Sequence, residues 1–123
     1  MRTGTSERRF VFRAGLARPW AADRNTVSSV IAEPDCVFCG IVAGAISSMT
    51  IAQSERAIAF MDINPVTYGH TLVVPRAHVT DLFDVTPEDL AACVHLAQEV
   101  AGRAKDRLGA DGINRLNCSG IDA

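Results

Sequence analysis

The rhythm of apolar and polar positions changes along this chain, and each change marks an expected element. Up to residue 34 the apolar residues are scattered without a sustained period and broken by Gly4, Gly15, Pro19 and Pro34. Such a stretch reads as a mostly disordered extension, although Val11, Phe12, Leu16 and Trp20 can line up as one short helical stripe. From Asp35 the texture tightens. Cys36-Val-Phe-Cys39-Gly-Ile-Val-Ala-Gly44 reads as a short helix or helical turn, stopped by glycine and with Asp35 placed to cap it. Residues 47 to 53 and 56 to 61 then read as two short strands around a turn at Glu55-Arg56.

The stretch from Ala59 to His78 organises the rest. Asn64-Pro65 and Tyr68-Gly69 are turn formers, so the runs ending at Met61 and starting at His70 are expected as antiparallel strands joined by a wide loop. Leu72-Val73-Val74 is a continuous apolar run, which predicts a strand buried on both faces and ended by Pro75. Further on, Thr86-Pro87-Glu88-Asp89 is a helix start, with Thr86 as N-cap, Pro87 at the first helical position and acids in the positive first turn. Leu90, Cys93, Val94, Ala97, Ala101, Ala104 and Leu108 recur every three or four residues, and Gly109 follows as the stop. This predicts a helix of about 22 residues that packs that stripe on the sheet and leaves His95 and Gln98 in solvent. Residues 112 to 118 read as a final strand with imperfect alternation, since Arg115 and Asn117 share a face with Ile113. The order of elements is α+β.

At 123 residues the chain suits one folded domain, expected over residues 35 to 123 behind the extension at 1 to 34. The formal net charge of −2 argues against an obligate nucleic-acid binder. It conceals a basic head over residues 1 to 30, in which six arginines face only Glu7 and Asp23, and an acidic body over residues 31 to 123. No run approaches the ~18 apolar residues of a membrane span, and the start lacks the apolar core of a secretory signal, so a cytoplasmic protein is expected. In that setting the four cysteines, 36, 39, 93 and 118, are expected as thiols or metal ligands rather than disulfides.

Two sets of residues could carry chemistry. Cys36-x-x-Cys39 lacks the second knuckle of a zinc ribbon, which leaves either coordination together with a distant histidine or a pair of small buried hydrophobes. His78, in a loop just past a strand end, is the plausible partner; His70 opens a strand and reads as structural, and Cys93 as core. Asp62 lies at a strand end among apolar neighbours, where a carboxylate either caps the turn through backbone N–H groups or accepts the hydroxyls of a ligand.

Four blocks in order, Cys36-x-Phe-Cys39-x-Ile41-Val-x-Gly44, Ala59-Phe60-x-Asp62-Ile63-x-Pro65, Gly69-His70-Thr-Leu72-Val-Val74-Pro75-Arg76-x-His78 and Gly112-x-Asn114-x-x-Asn117-x-x-Gly120, resemble the histidine triad (HIT) family of nucleotide hydrolases and transferases. The resemblance implies an antiparallel sheet with one long helix and a short N-terminal helix, a homodimer and a purine-nucleotide pocket. By it the base would lie among Val37, Phe38, Ile41, Phe60, Ile63 and Leu72. Asp62 would take the ribose hydroxyls and Asn117 would contact phosphate. Zinc, found in some bacterial members, would be held by Cys36, Cys39 and His78. The family's His-x-His-x-His strand, which carries the nucleophile and, in zinc-bearing members, the fourth metal ligand, would follow Ser119-Gly120 and does not occur in these residues. The expectation is therefore a HIT domain truncated before that motif and inactive as this chain, because without the attacking imidazole no covalent nucleotidyl-histidine forms. The alternatives are a non-catalytic zinc- or nucleotide-binding module and an unstable remnant without function.

Overall fold

A computed structural model of the protein describes residues 33 to 120. The basic head and its helical stripe at Val11 to Trp20 lie outside the described residues. Five elements follow in order: helix α1 (Val37–Val42), strands β1 (Thr50–Gln53), β2 (Ala57–Met61) and β3 (Thr71–Pro75), and helix α2 (Pro87–Leu108). The strands form an antiparallel sheet in the order β1-β2-β3. Together they make the expected α+β arrangement of antiparallel sheet, one long helix and a short helix before it.

The centre of the sheet is buried on both sides. Ala57, Ala59 and, across the ladder from Ala59, Val73 point to one face, where Leu96, Ala92, Cys93 and Val100 of α2 meet them. Alanine at 57 and 59 is what lets the helix come close: both are fully buried, with no side chain beyond Cβ to hold the backbones apart. On the opposite face Phe60 pairs across the ladder with Leu72 and stacks obliquely on Phe38 of α1, with ring centroids 6.2 Å apart. Because β3 lies at the sheet margin, its residues are only half-buried, contrary to the reading of 72–74 as a strand buried on both faces. An apolar run reports burial in general and does not distinguish the middle of a sheet from its margin.

Helix α2 begins and ends as expected. Thr86 Oγ1 accepts from Asp89 N at 3.2 Å, Pro87 opens the helix, and Gly109 closes it with φ at 65°. Its buried face, however, runs through Asp89, Ala92, Cys93, Leu96 and Val100. Of the stripe read from sequence, Cys93 packs against that buried cluster, Leu90, Ala97, Ala101 and Ala104 are half-buried, and Val94 and Leu108 are exposed. Alanines on several sides of α2 weaken the periodic signal, and the large residue that decides the face is Leu96. His95 and Gln98 are exposed as expected.

Two further expectations are corrected. Cys36, not Asp35, is the N-cap of α1, and no side chain caps that end. Residues 112 to 118 form no strand: they carry no ladder to β3, and Ile113 and Leu116 are exposed. With Arg115 and Asn117 on the face of Ile113, neither side of this segment is apolar enough to be held against the sheet.

A candidate metal centre and its cleft

The site is assembled by the first turn of α1 and the loop after β3. In that first turn Cys36 and Cys39 stand three residues apart, which puts both thiols on one side of the helix. The turn is closed from behind: Ala45 N and Ile46 N both donate to Gly40 O, and Ile46 folds so tightly over Gly40 that a Cβ there would lie 2.6 Å from Ile46 Cδ1. Glycine at 40 is thus a condition of the compact return that follows the helix.

His78 is brought in by Arg76. Pro75 ends β3, yet Arg76 N still donates to Arg56 O at 2.8 Å, extending the pairing one step. Arg76 Nε donates to Ser54 O and its Nη2 to Gln53 Oε1, both at 2.9 Å, which pins the exit of β3 to the β1–β2 turn. Two residues later His78 Nδ1 lies 3.2 Å from Cys39 Sγ. The ligand atoms of Cys36, Cys39 and His78 all lie within 4.8 Å of one another. Around a tetrahedral zinc, with Zn–S near 2.3 Å and Zn–N near 2.0 Å, such atoms stand about 3.5–4 Å apart, so this group needs little adjustment to fit. The donor chemistry fits as well, since two thiols and an imidazole suit a borderline-soft cation.

The two thiols differ. The backbone N–H of Cys39 draws the Cys36 thiol below its ordinary range, whereas burial pushes the Cys39 thiol up. Cys93, half-buried against α2's sheet-facing side, is also pushed up by burial, with a smaller contribution from the negative charge of Asp89. It behaves as the core residue expected of it.

The metal group lies in the wall of an open cleft of about 270 Å³. Phe38, Val74, Leu82 and the segment Asn117-Cys118-Ser119 line the same cleft. That segment is tethered by Ser119 Oγ, which accepts from Leu82 N at 3.2 Å and from Asn117 Nδ2 at 2.8 Å. Ser119 carries no signal in the sequence that would place it in this wall, because only the fold carries residues 118 and 119 back toward α1.

The other candidate residues sit elsewhere. Asp62, at the end of β2, accepts from Asn64 N at 2.8 Å through Oδ1, so it does cap the turn. Its Oδ2 lies 3.4 Å from His70 Nδ1, and that ring nitrogen accepts from Val66 N at 3.2 Å, making His70 a satisfied structural residue. Phe38, Phe60 and Leu72 come together between α1 and the sheet. Val37 is exposed on α1, Ile41 is half-buried, and Ile63 is 91% exposed on the hairpin loop. Asn117 lines the cleft of the metal group, and Asp62 does not.

Residues 43–123 match the model of the HIT domain. A HIT-like protein of Mycoplasma genitalium is 40% identical over 82% of this chain and 67% of its own length. Among solved structures, a HIT family protein from Bacillus anthracis superposes with a TM-score of 0.70 at 37% identity, over 73% of this chain and 64% of that one. A zinc-bound histidine triad family protein from Mycobacterium smegmatis superposes with a TM-score of 0.63 at 42% identity, over 65% of this chain and 58% of that one. The chain thus spans about two thirds or less of the length of these relatives.

Proposed function

This chain belongs to the HIT domain family, and from that premise we propose that it binds a purine nucleotide, and zinc, without itself carrying out nucleotidyl transfer. The observation that carries the nucleotide reading is the packing of Phe38 on Phe60, opposite Leu72, with Asp62 two residues farther along the same strand end. Aromatic and branched side chains there offer a flat base apolar walls, to which Val37, Ile41 and Ile63 would add. An ionised carboxylate has only acceptors, and Asp62 uses one oxygen for its turn, which leaves capacity on the other for a ribose cis-diol. Asn117 would meet the phosphate.

The metal reading rests on Cys36, Cys39 and His78 converging and on the zinc-bound relative. Zinc held there would cross-link α1 to the loop after β3, a structural rather than a chemical task. The absence of turnover rests on the histidines: His70 is engaged in the hairpin loop, His78 lies beside Cys39, His95 is exposed on α2, and none belongs to a His-x-His-x-His block. A homodimer is part of the same reading, drawn from the family.

Calorimetric titration of the 123-residue chain with AMP and with its 2′,3′-dideoxy analogue tests the nucleotide assignment. Binding of AMP that weakens by about tenfold on loss of the diol is expected, corresponding to about 1.4 kcal/mol. Equal affinities would remove Asp62 from the ribose role, and turnover of an adenosine phosphoramidate by the same sample would overturn the absence of catalysis.

A further inference from the structure

We propose that Cys36 and Cys39 are a reversible redox pair, closing to an intrachain disulfide when a peroxide reaches them, and that this disulfide and a bound metal exclude one another. The exclusion rests on the metal reading above; the disulfide needs only the two thiols. Their sulfurs lie within 4.8 Å of each other, so a turn of one side chain brings them toward the S–S bond length of about 2.05 Å. Cys36 is the one free to turn. It precedes the first helical residue with extended backbone, φ −86° and ψ 118°, and makes no capping bond that the turn would break. The other two thiols stand apart: Cys93 packs on the core cluster, and neither it nor Cys118 belongs to the 4.8 Å group.

Exposure divides the labour within the pair. Cys36 is half-buried in the wall of the open cleft, whereas Cys39 is buried. A small oxidant therefore meets Cys36 first and leaves Cys39 as the resolving thiol, the arrangement of a redox sensor rather than of two inert core cysteines. The Cys36 thiolate attacks one peroxide oxygen, the O–O bond breaks, and hydroxide leaves a sulfenic acid behind. The Cys39 thiolate then attacks that sulfur and expels a second hydroxide as the S–S bond forms. Both hydroxides take up the thiol protons, so the peroxide is reduced to water and the two thiols supply the electron pair. Closing the pair also turns Cys39 Sγ from a ligand into half of a disulfide and weakens its contact with His78 Nδ1, now 3.2 Å, which ties α1 to the loop after β3. Metal engaging the same thiolates would shield them from the oxidant.

The test treats the full 123-residue chain, stripped of metal by a chelator, with equimolar hydrogen peroxide, then alkylates the remaining thiols and maps the peptides. A disulfide between Cys36 and Cys39 is expected, with Cys93 and Cys118 alkylated, and dithiothreitol should reverse it. Cys118→Ser should close the same bond, whereas in Cys39→Ser oxidation should stay on Cys36 and run on to the sulfinic acid. With zinc at about ten times the dissociation constant of the same sample, the disulfide should form about tenfold more slowly, because only unbound chain reacts. A disulfide from Cys36 to Cys118 or to a second chain, or Cys36 oxidised to sulfinic acid in the parent with Cys39 still alkylated, would overturn the pair. Oxidation at an unchanged rate in a zinc-saturated sample would overturn the exclusion. A chain that takes up no zinc would end the metal reading and the exclusion together, while the mapped disulfide still decides the redox pair.

Discussion

Arg56 reaches from the β1–β2 turn to donate through Nη1 to Asp89 Oδ1 at 2.8 Å, joining the sheet to the first turn of α2. Asp89 is the buried carboxylate among the described residues, and Thr86 Oγ1 donates to its other oxygen at 2.9 Å. The carboxylate is thus satisfied by a charge on one side and a cap on the other. Removing its charge should be felt as stability: Asp89→Ala is expected to cost about 1–3 kcal/mol, since it leaves the backbone cap at Thr86 in place but takes away the acceptor of both Arg56 Nη1 and the Thr86 hydroxyl. The guanidinium is about half exposed and screened by solvent, so Arg56→Ala should cost less than Asp89→Ala. Urea unfolding of the two single variants and the double variant measures the coupling; additivity would mean that the pair contributes nothing of its own.

A second expectation concerns Asp62, whose two possible roles can be separated. Asp62→Asn keeps an oxygen to accept from Asn64 N, so the hairpin loop should hold and the melting temperature should change little. Nucleotide affinity should nonetheless fall by about tenfold, because a neutral amide accepts the ribose hydroxyls less strongly. Loss of thermal stability with unaltered affinity would assign the residue to the turn alone.

Cys93 gives a pH dependence of definite sign. Burial raises its thiol pKa in the folded state above the unfolded value of about 8.5. The folded chain therefore disfavours the thiolate, and the stability present below that unfolded value is lost as pH rises through the folded one. Denaturation midpoints of the parent should accordingly decline on the alkaline side more steeply than those of Cys93→Ala. Parallel alkaline declines would place Cys93 in contact with water.

The ends of the elements were more legible in the sequence than their sides. The Thr86-Pro87 start and the Gly109 stop were readable because caps act through local bonds. The same holds for the strand pair around Asn64-Pro65 and Tyr68-Gly69. The resemblance groups Cys36, Cys39 and His78, and the fold brings their ligand atoms within 4.8 Å of one another. What could not be read depends on packing between distant parts. The buried side of α2 is set by where β2 presents Ala57 and Ala59, and an alanine-rich helix records that choice only at Leu96. The pairing of Arg56 with Asp89 joins charged residues 33 positions apart that look like ordinary surface residues. Residues 112 to 118 resembled a strand in composition, but a ladder needs a partner as well as a propensity.

Overpacking provides a further expectation. Ala59→Leu inserts a branched side chain where the residue is fully buried and faces α2. It should destabilise by about 1–3 kcal/mol, whereas the same change at exposed Ala91 should be nearly neutral. Chemical denaturation of both variants decides this, and similar small effects would mean that α2 can slide outward without penalty.

The burial of β2 on both faces also fixes the order in which the molecule comes apart. Its amides are flanked by a ladder on each side, α2 beneath and α1 above, so their exchange with deuterated water requires nearly every neighbour to leave first. Opening should therefore travel inward from α1 and the outer edge of β3, with the protons of Ile58, Ala59 and Phe60 surviving longest. Those three positions act as the chain's clock: their lifetime reads out global unfolding, while the cleft at the margin can loosen and re-form many times within it.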